Sequence, residues 1–189
     1  MHRHKNLMFK KASRKQITAL IVYLFCLCVP VFQSQTSPLP EYKIKAVFLF
    51  NFTQFVEWPN GAFNNATDPF VIGILGKDPF GKYIDEVVQN EKVGNHPLII
   101  MRYHNTREIN NCQVLFIENN DSNLSGVLSA LNNRAILTVS DMQGFTQAGG
   151  IIGFVTTDNK IKLQININAA KEAGLNISSK LLSVANILK

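Results

Sequence analysis

Apolar residues recur at helical spacing in residues 41–58, a stretch that contains neither glycine nor proline. This spacing predicts a helix, which the Pro-Asn-Gly turn after Trp58 would end, with an extended lead-in at 36–40 because two prolines disfavour helix there. Leu49 and Phe50 lie off its main apolar stripe, so the helix is apolar almost all round at its centre. It is therefore either buried on two sides or presents an apolar face to a partner, and burial is the commoner destination. The main stripe comprises Ile44, Phe48, Phe52 and Phe55, with Val47 and Val56 beside them.

Short apolar runs alternate with helical or turn-forming segments in the rest of the chain. Residues 151–167 read as two strands joined at 157–159, which makes an antiparallel hairpin. The segment 177–188 has one apolar stripe and predicts a C-terminal helix that packs on the sheet. Further strands are predicted at 70–75, 98–103, 114–117 and 135–139, and further helices at 82–89, from a cap at Ser122 or Ser125 through Leu131, and after a cap at Asn166 or Asn168.

The alternation of buried strands with helices indicates an α/β fold. We predict a three-layer α/β/α sandwich around a mixed, largely parallel sheet that ends in the antiparallel hairpin. No repeat, low-complexity tract or linker interrupts residues 41–189, so this range is predicted to be a single domain.

The net charge of +6 belongs to the N-terminus. Six of the 19 lysines and arginines lie at 3–15 without an acidic residue among them, and the other 13 balance the 13 aspartates and glutamates. Residues 17–32 then form an apolar run that is followed by a short polar stretch, the order typical of a secretory signal peptide. We therefore predict a signal peptide at 1–34 and a neutral exported domain. A nucleic-acid-binding surface is not expected, because it needs clustered cations on the folded domain.

An uncleaved membrane anchor is the alternative for the apolar run, although a span needs about 20 apolar residues and this run contains Pro30. After cleavage no stable membrane insertion is expected. Cys26 and Cys28 would leave with the signal peptide, so Cys112 would be the one cysteine of the exported domain. That domain cannot form an intramolecular disulfide even in an oxidising compartment. Cys112 opens an apolar strand, where a buried structural thiol is expected.

One phosphate-binding motif is nearly complete. Residues 76–83, GKDPFGKY, follow a predicted strand, precede a predicted helix and match GxxxxGK. A P-loop also needs Ser or Thr where Tyr83 stands, to hold Mg²⁺. Asp78 would place negative charge beside the phosphates, and Pro79 has no N–H to donate to them. We therefore predict a plain strand-to-helix turn.

Other catalytic and metal-binding patterns are also incomplete. His104 and Glu108 have helical spacing without a third metal ligand nearby, and His96 lies on the far side of a predicted strand. The sequence lacks a GxSxG nucleophile elbow, and Cys112 has no identifiable basic partner. We predict no catalytic, cofactor-binding or metal-binding residues, and hence a protein that is not an enzyme.

Recognition of a partner is then the function to expect. Aromatic side chains near strand-to-helix loops anchor partners in many interfaces, although they more often close the core. The candidates for partner binding are Phe50, Trp58 and Phe145, with Arg102 and Arg107 as polar contacts.

The order of segments resembles the YfiR family, which is also called YfiR/HmsC-like. The residues that carry the resemblance are KAVFLFNFTQFVEWP at 45–59, ILGKDPFG at 74–81, CQVLFI at 112–117, ILTVSDMQGFTQAGGIIGF at 136–154 and IKLQININAAKEAGLNISSKLLSVA at 161–185. Five ordered motifs are far more specific than any one of them, and together they extend from about Tyr42 to Leu188.

The resemblance implies a periplasmic, non-enzymatic regulator with an α/β/α fold, often dimeric. Characterised members hold an inner-membrane diguanylate cyclase inactive by binding its periplasmic sensing region, which controls cyclic di-GMP and biofilm formation. The resemblance also implies a cysteine near Gly73 that pairs with the equivalent of Cys112, and in some members a second pair towards the C-terminal half. Neither partner cysteine is present here, so redox control of this protein is not expected.

Two alternatives remain for the function. The partner could be a sensor histidine kinase instead of a cyclase. The protein could also be a small-molecule-binding module with its pocket at the carboxyl ends of the strands, since α/β folds commonly bind ligands there.

Overall fold

The structure is a computed structural model that describes residues 38–63, 65–118 and 123–188. The signal peptide or anchor predicted within residues 1–34 lies outside these ranges, as does Ser122. Within them, the helices are α1 (Pro38–Phe55), α2 (Lys82–Val88), α3 (Leu124–Leu131), α4 (Ile167–Glu172) and α5 (Ser179–Leu182), with a 3₁₀ turn at Thr106–Glu108. The strands are β1 (Val56–Glu57), β2 (Phe70–Leu75), β3 (Lys92–Val93), β4 (His96–Tyr103), β5 (Val114–Ile117), β6 (Leu137–Ser140), β7 (Ile152–Thr157), β8 (Lys160–Asn166), β9 (Asn176–Ile177) and β10 (Ala185–Leu188).

Eight strands form one sheet in the order β10-β8-β7-β6-β5-β2-β4-β3. Strands β4, β2, β5, β6 and β7 run parallel to one another, whereas β3 pairs with β4 and β8 pairs with β7 in antiparallel orientation, the latter pair as a hairpin. The chain adds β4 on one side of β2 and then β5, β6 and β7 on the other, as in doubly wound folds. The predicted α/β class, the largely parallel sheet and the hairpin are therefore confirmed.

Two apolar clusters lie on opposite faces of the sheet. Ile72 and Ile74 belong to the first cluster, and Val71 and Leu75 to the second, as the alternation of side chains along a strand requires. Helices α1, α2, α4 and α5 contribute to the first cluster, and α3 contributes to the second. Strands β2, β5 and β6 are buried at every residue because both of their faces are covered.

The predictions for α1 need two corrections. The helix begins at Pro38, where an extended lead-in was expected, because proline fits the first helical turn, whose N–H groups have no partner within the helix. Its buried side is also rotated from the predicted stripe: Leu49 is fully buried, whereas Ile44 is 52% exposed and Val47 is exposed as well. One side of the helix is therefore buried, another presents apolar residues to solvent, and contact of that side with a partner stays a prediction.

The prediction of a long C-terminal helix is wrong. A short helix, α5, begins after Ser178, whose hydroxyl accepts a hydrogen bond from the Leu181 N–H, and it ends at Leu182. Residues Ala185–Leu188 instead form β10, which pairs in parallel with β8 and forms one edge of the sheet. Short apolar runs fit a strand or a helix equally well, and here the unpaired edge of β8 selects the strand.

Smaller differences concern the ends of elements. The cap of α3 is Asn123, whose side-chain oxygen accepts from the Gly126 N–H at 3.1 Å, so the predicted serine caps are wrong. Asn166 caps α4 as predicted, with its side-chain oxygen 3.0 Å from the Ala169 nitrogen.

The buried side of α1 gives a first prediction. Leu49→Ala should lower the free energy of unfolding by about 2–5 kcal/mol, because it leaves a cavity in the first apolar cluster. Ile44→Ala is the matched control and should change it by no more than about 0.5 kcal/mol, since Ile44 is largely exposed. Urea denaturation of both variants measures the difference, and equal losses would contradict the orientation of the helix.

Candidate interaction site at the carboxyl edge of the sheet

A buried lysine joins α1 to the carboxyl end of β6. Lys45 is 3% exposed, and its Nζ lies 2.6 Å from Asp141 Oδ2 and 2.8 Å from Glu41 Oε1. The Tyr42 hydroxyl donates to the same Asp141 oxygen at 2.9 Å, and the Thr156 hydroxyl donates to Glu41 at 2.9 Å. These five residues, which we call the Lys45 cluster, connect α1, the loop after β6 and the outer end of β7.

The charges of the Lys45 cluster compensate one another. The hydrogen bond from Lys45 lowers the pKa of the Glu41 carboxyl. Burial and the hydrogen bond to Asp141 raise the pKa of the Tyr42 hydroxyl, which therefore stays protonated and donates. A buried cation is costly unless it is paired and hydrogen-bonded, and Lys45 has two carboxylate partners. The position of α1 over the sheet is therefore specified by polar contacts as well as by apolar packing.

Aromatic rings pack around Lys45 and Tyr42, two members of the Lys45 cluster. The Tyr42 ring packs edge-on against Phe80 at 5.5 Å between centroids, and Phe80 packs against Phe116 of β5 at 4.9 Å. Lys45 Nζ lies 4.4 Å from the centroid of Tyr42 and 5.9 Å from that of Phe154. Sequence reasoning missed this cluster, and the signal for it was a lysine in the middle of an otherwise apolar helix.

The turn that resembles a P-loop is closed by its own aspartate. Asp78 Oδ1 accepts hydrogen bonds from the N–H groups of Phe80, at 2.7 Å, and Gly81, at 3.1 Å. Arg102 Nε lies 2.8 Å from Asp78 Oδ2, and Arg102 also holds Asp85 with a pair of hydrogen bonds. A bound phosphate would need backbone N–H groups that Asp78 occupies. The segment is a strand-to-helix turn, as predicted.

The five predicted partner-binding residues lie in different parts of the fold. Phe50 and Trp58 are half-buried, and the Trp58 indole N–H donates to the Gln113 carbonyl at 3.1 Å. Arg102 is exposed but holds the two aspartates described above, and the side chain of Arg107 is exposed without an ion pair to a described residue. No hydrogen bond, ion pair or ring contact among the described residues joins any two of the five.

Phe145 is buried in the core and does not lie at the surface. It is 1% exposed and lies in the second apolar cluster, where its ring occupies the space that a side chain at Gly150 would need. The prediction that it contacts a partner directly is incompatible with this placement, because its ring completes the core beneath the loop after β6.

The histidines considered and set aside as metal ligands do not form a site with each other. His96 Nδ1 lies 2.7 Å from the Asp68 carbonyl oxygen, and its ring stacks on Phe63 at 3.7 Å between centroids. His104 is exposed and lies 3.6 Å from Glu108. Across residues 38–63, 65–118 and 123–188, no group of three or more histidine, cysteine or acidic side chains is arranged to hold a metal ion.

Cys112 is a structural thiol. It is buried, and burial raises its pKa to about 12, so the thiol stays protonated at neutral pH. A Cβ placed on Gly73 would lie 2.8 Å from Cys112 Sγ and 2.7 Å from a ring carbon of Tyr103. The family resemblance implies a cysteine close to this position, and in the structure the space that a side chain at Gly73 would need beside the sulfur is already occupied by Tyr103 and Leu115.

A second prediction concerns the Lys45 cluster. Asp141→Ala should lower the free energy of unfolding by about 3–5 kcal/mol, because it leaves a buried cation short of a partner. Glu86→Ala, at an exposed position of α2, should change it by no more than about 0.5 kcal/mol. Combining Asp141→Ala with Lys45→Met should cost less than the sum of the single changes in a denaturation cycle. An additive result would show that the two side chains do not stabilise each other.

A third prediction concerns Gly73. Gly73→Ser should lower the free energy of unfolding by roughly 1–3 kcal/mol, since the added atoms crowd Tyr103 and Leu115. Gly73→Cys should form a disulfide with Cys112 under oxidising conditions and gain roughly 2–4 kcal/mol relative to its reduced form. Urea denaturation with and without dithiothreitol, together with thiol titration, measures both. Two free thiols persisting after oxidation would refute the proximity, and Gly73→Ser should not respond to reductant.

Comparison with known protein families gives a match over residues 42–186 to the family described as YfiR/HmsC-like. A comparison with curated proteins gives no significant match. No helix in the described part of the chain is long and apolar enough to cross a membrane. The family is a regulatory, non-catalytic and periplasmic one whose members act on membrane signalling proteins. Because the match extends from α1 into β10, the resemblance drawn from the sequence motifs is confirmed and the chain belongs to the YfiR/HmsC-like family.

Proposed function

We propose that this protein is exported through a cleaved N-terminal signal peptide and represses an inner-membrane signalling enzyme. The enzyme we propose is a diguanylate cyclase, which would be held inactive by contact with its periplasmic sensing region. The observation that carries the proposal is the family match over residues 42–186. In this proposal the protein itself is not an enzyme, and cyclic di-GMP and biofilm formation are its downstream outputs.

Features of α1 support a role in contact with a partner. Ile44 and Val47 project apolar side chains into solvent from a helix whose other side is fixed by Leu49 and Lys45. A rigid helix with exposed apolar residues loses little conformational freedom on binding, which favours it as a docking element. We place the contact on this side of α1, with Phe50 and Trp58 as candidate neighbours.

Repression requires only that the protein prefer one state of its partner. If it binds the inactive conformation of the sensing region more tightly than the active one, it shifts the equilibrium towards the inactive state. A coupling free energy of roughly 1–3 kcal/mol is typical of such switches. Arg102 and Arg107 are candidates for the polar contacts that set the specificity, and a homodimer is compatible with this scheme.

Deletion of the gene tests the proposal. Loss of the repressor should raise cellular cyclic di-GMP several-fold, as measured by mass spectrometry, and the wild-type gene should restore the original level. A gene carrying Ile44→Asp and Val47→Asp should not restore it, because the charges disrupt the apolar contact. Val184→Asp is the matched control, since Val184 is 70% exposed at a different site, and it should restore the level fully.

An unchanged cyclic di-GMP level in the deletion strain would refute the cyclase as the partner. Crosslinking from membranes, followed by identification of the captured protein, would then decide for or against a sensor kinase. Thermal denaturation of each purified variant shows whether it is folded, so that a loss of repression is not confused with a loss of structure.

A further inference from the structure

The second face of the sheet is uncovered beyond β6. Among the described residues, the second apolar cluster includes none from β7, β8 or β10. Phe154 and Leu163 belong to the first cluster, so the residues that alternate with them along each strand point to the opposite face. That face carries Gly153, Val155 and Thr157 of β7 and their partners Gln164, Lys162 and Lys160 of β8. Val155 is 41% exposed there.

A groove of about 460 Å³ lies where this open face meets the loop after β6. The loop 141–147 forms one wall, and Val155, Thr156 and Gln164 form the other. The loop wall is fixed, because the Thr146 hydroxyl lies 2.7 Å from Gln164 Oε1 and the Asn166 side chain donates to the Thr146 carbonyl at 2.9 Å. The volume lies within the range of sites that hold ligands of several hundred daltons.

One edge of β7 is unpaired beside this groove. Strand β8 pairs with all six residues of β7, whereas β6 pairs with Ile152 and Gly153 alone. The Ile151 carbonyl accepts from the Asn166 N–H, so Ile151 and every second residue after it direct their backbone groups towards β8. Thr156 directs its N–H and carbonyl the other way, where β6 has already ended. No described residue forms a backbone hydrogen bond with Thr156 on that side.

Positive charge lies on β8, across β7 from this unpaired edge. Lys160 and Lys162 are exposed and form no ion pair with a described residue. Asp158 in the intervening turn is the nearest acidic residue in sequence. Asp141 lines the groove, but its carboxylate already binds Lys45 and Tyr42. A strand added to β7 would lie two strand spacings of about 4.8 Å each from β8, so the lysine stems must cross β7 and meet carboxylate side chains that extend towards them.

We propose that this groove binds an extended, acidic peptide segment of a partner protein. The segment adds a short strand to β7 by hydrogen bonding to the Thr156 backbone, and its carboxylates contact Lys160 and Lys162. An extended chain is the occupant that matches an unpaired strand edge, because it alone supplies alternating N–H and carbonyl groups. This surface lies on the face of the sheet opposite α1, so it is separate from the contact proposed for repression.

Selection from a random nonapeptide phage library on the folded protein provides the probes. We expect the enriched peptides to be acidic, and a synthetic peptide from the selection to protect the Thr156 amide from hydrogen exchange. Enrichment of neutral or basic sequences, or a library without any enriched sequence, would overturn the proposal. Protection confined to amides far from β7 would overturn it as well.

Two substitutions of Thr156 separate the contribution of its backbone to peptide binding from that of its side chain. Thr156→Pro removes the outward N–H without touching the ladder to β8, and proline is tolerated where a strand edge faces solvent. It should weaken binding of the selected peptide at least tenfold. Thr156→Val removes the hydroxyl bonded to Glu41 but keeps the N–H, and it should bind as the wild type does. Equal affinities for the proline and valine variants would refute strand addition.

Charge reversal tests the rest of the site. Lys160→Glu with Lys162→Glu should weaken the acidic peptide at least tenfold and reduce the salt dependence of binding. Lys171→Glu, an exposed position on α4, is the control for net charge and should have little effect. Unchanged affinity in the double variant would overturn the acidic character of the segment. Repression of cyclic di-GMP is measured separately in the same variants. That measurement tests the proposed function, whereas peptide affinity tests this site, so the failure of one can be told from the failure of the other.

Discussion

The ion pair between Lys45 and Asp141 determines how α1 meets the loop after β6, which lies 96 residues further along the chain. Apolar packing alone would let α1 rotate or slide over the sheet, since its centre is apolar on most sides. A buried cation does not tolerate such freedom, because each displaced position leaves it without a partner. Fixing Lys45 on Asp141, the residue that follows β6, therefore fixes which side of α1 faces the core. The same pair ties the loop after β6 in place, so one contact orients a helix and a loop together.

The sequence predicted the general architecture because buried parallel strands have a strong signature. Runs such as 70–75 and 114–117 are continuous in apolar residues and correspond closely to β2 and β5. The hairpin was equally predictable, since a polar Asp-Asn turn separates two alternating strands. In both cases the pattern is local, and no knowledge of neighbouring elements was needed.

The predictions from sequence that were wrong depend on contacts between residues far apart in the chain. In α1 the burial of Leu49 rather than Ile44 depends on Lys45 finding Asp141, which lies 96 residues away in the chain. The segment 185–188 became a strand because β8 offered an unpaired edge, and a helical wheel contains no information about that edge. The candidate partner-binding residues were chosen because they are aromatic and lie near loops in the sequence, and their burial was not known. Phe145 illustrates the weakness of that criterion, because its ring fills a space that only the folded glycine loop creates.

The place of β10 has a consequence for the order in which the protein can assemble. Among the described residues this strand is the last in chain order, and it forms the edge of the sheet beside β8. Strand β8 therefore keeps one edge unpaired until the residues of β10 have been synthesised, and the sheet reaches its full width only after the other described strands are in place.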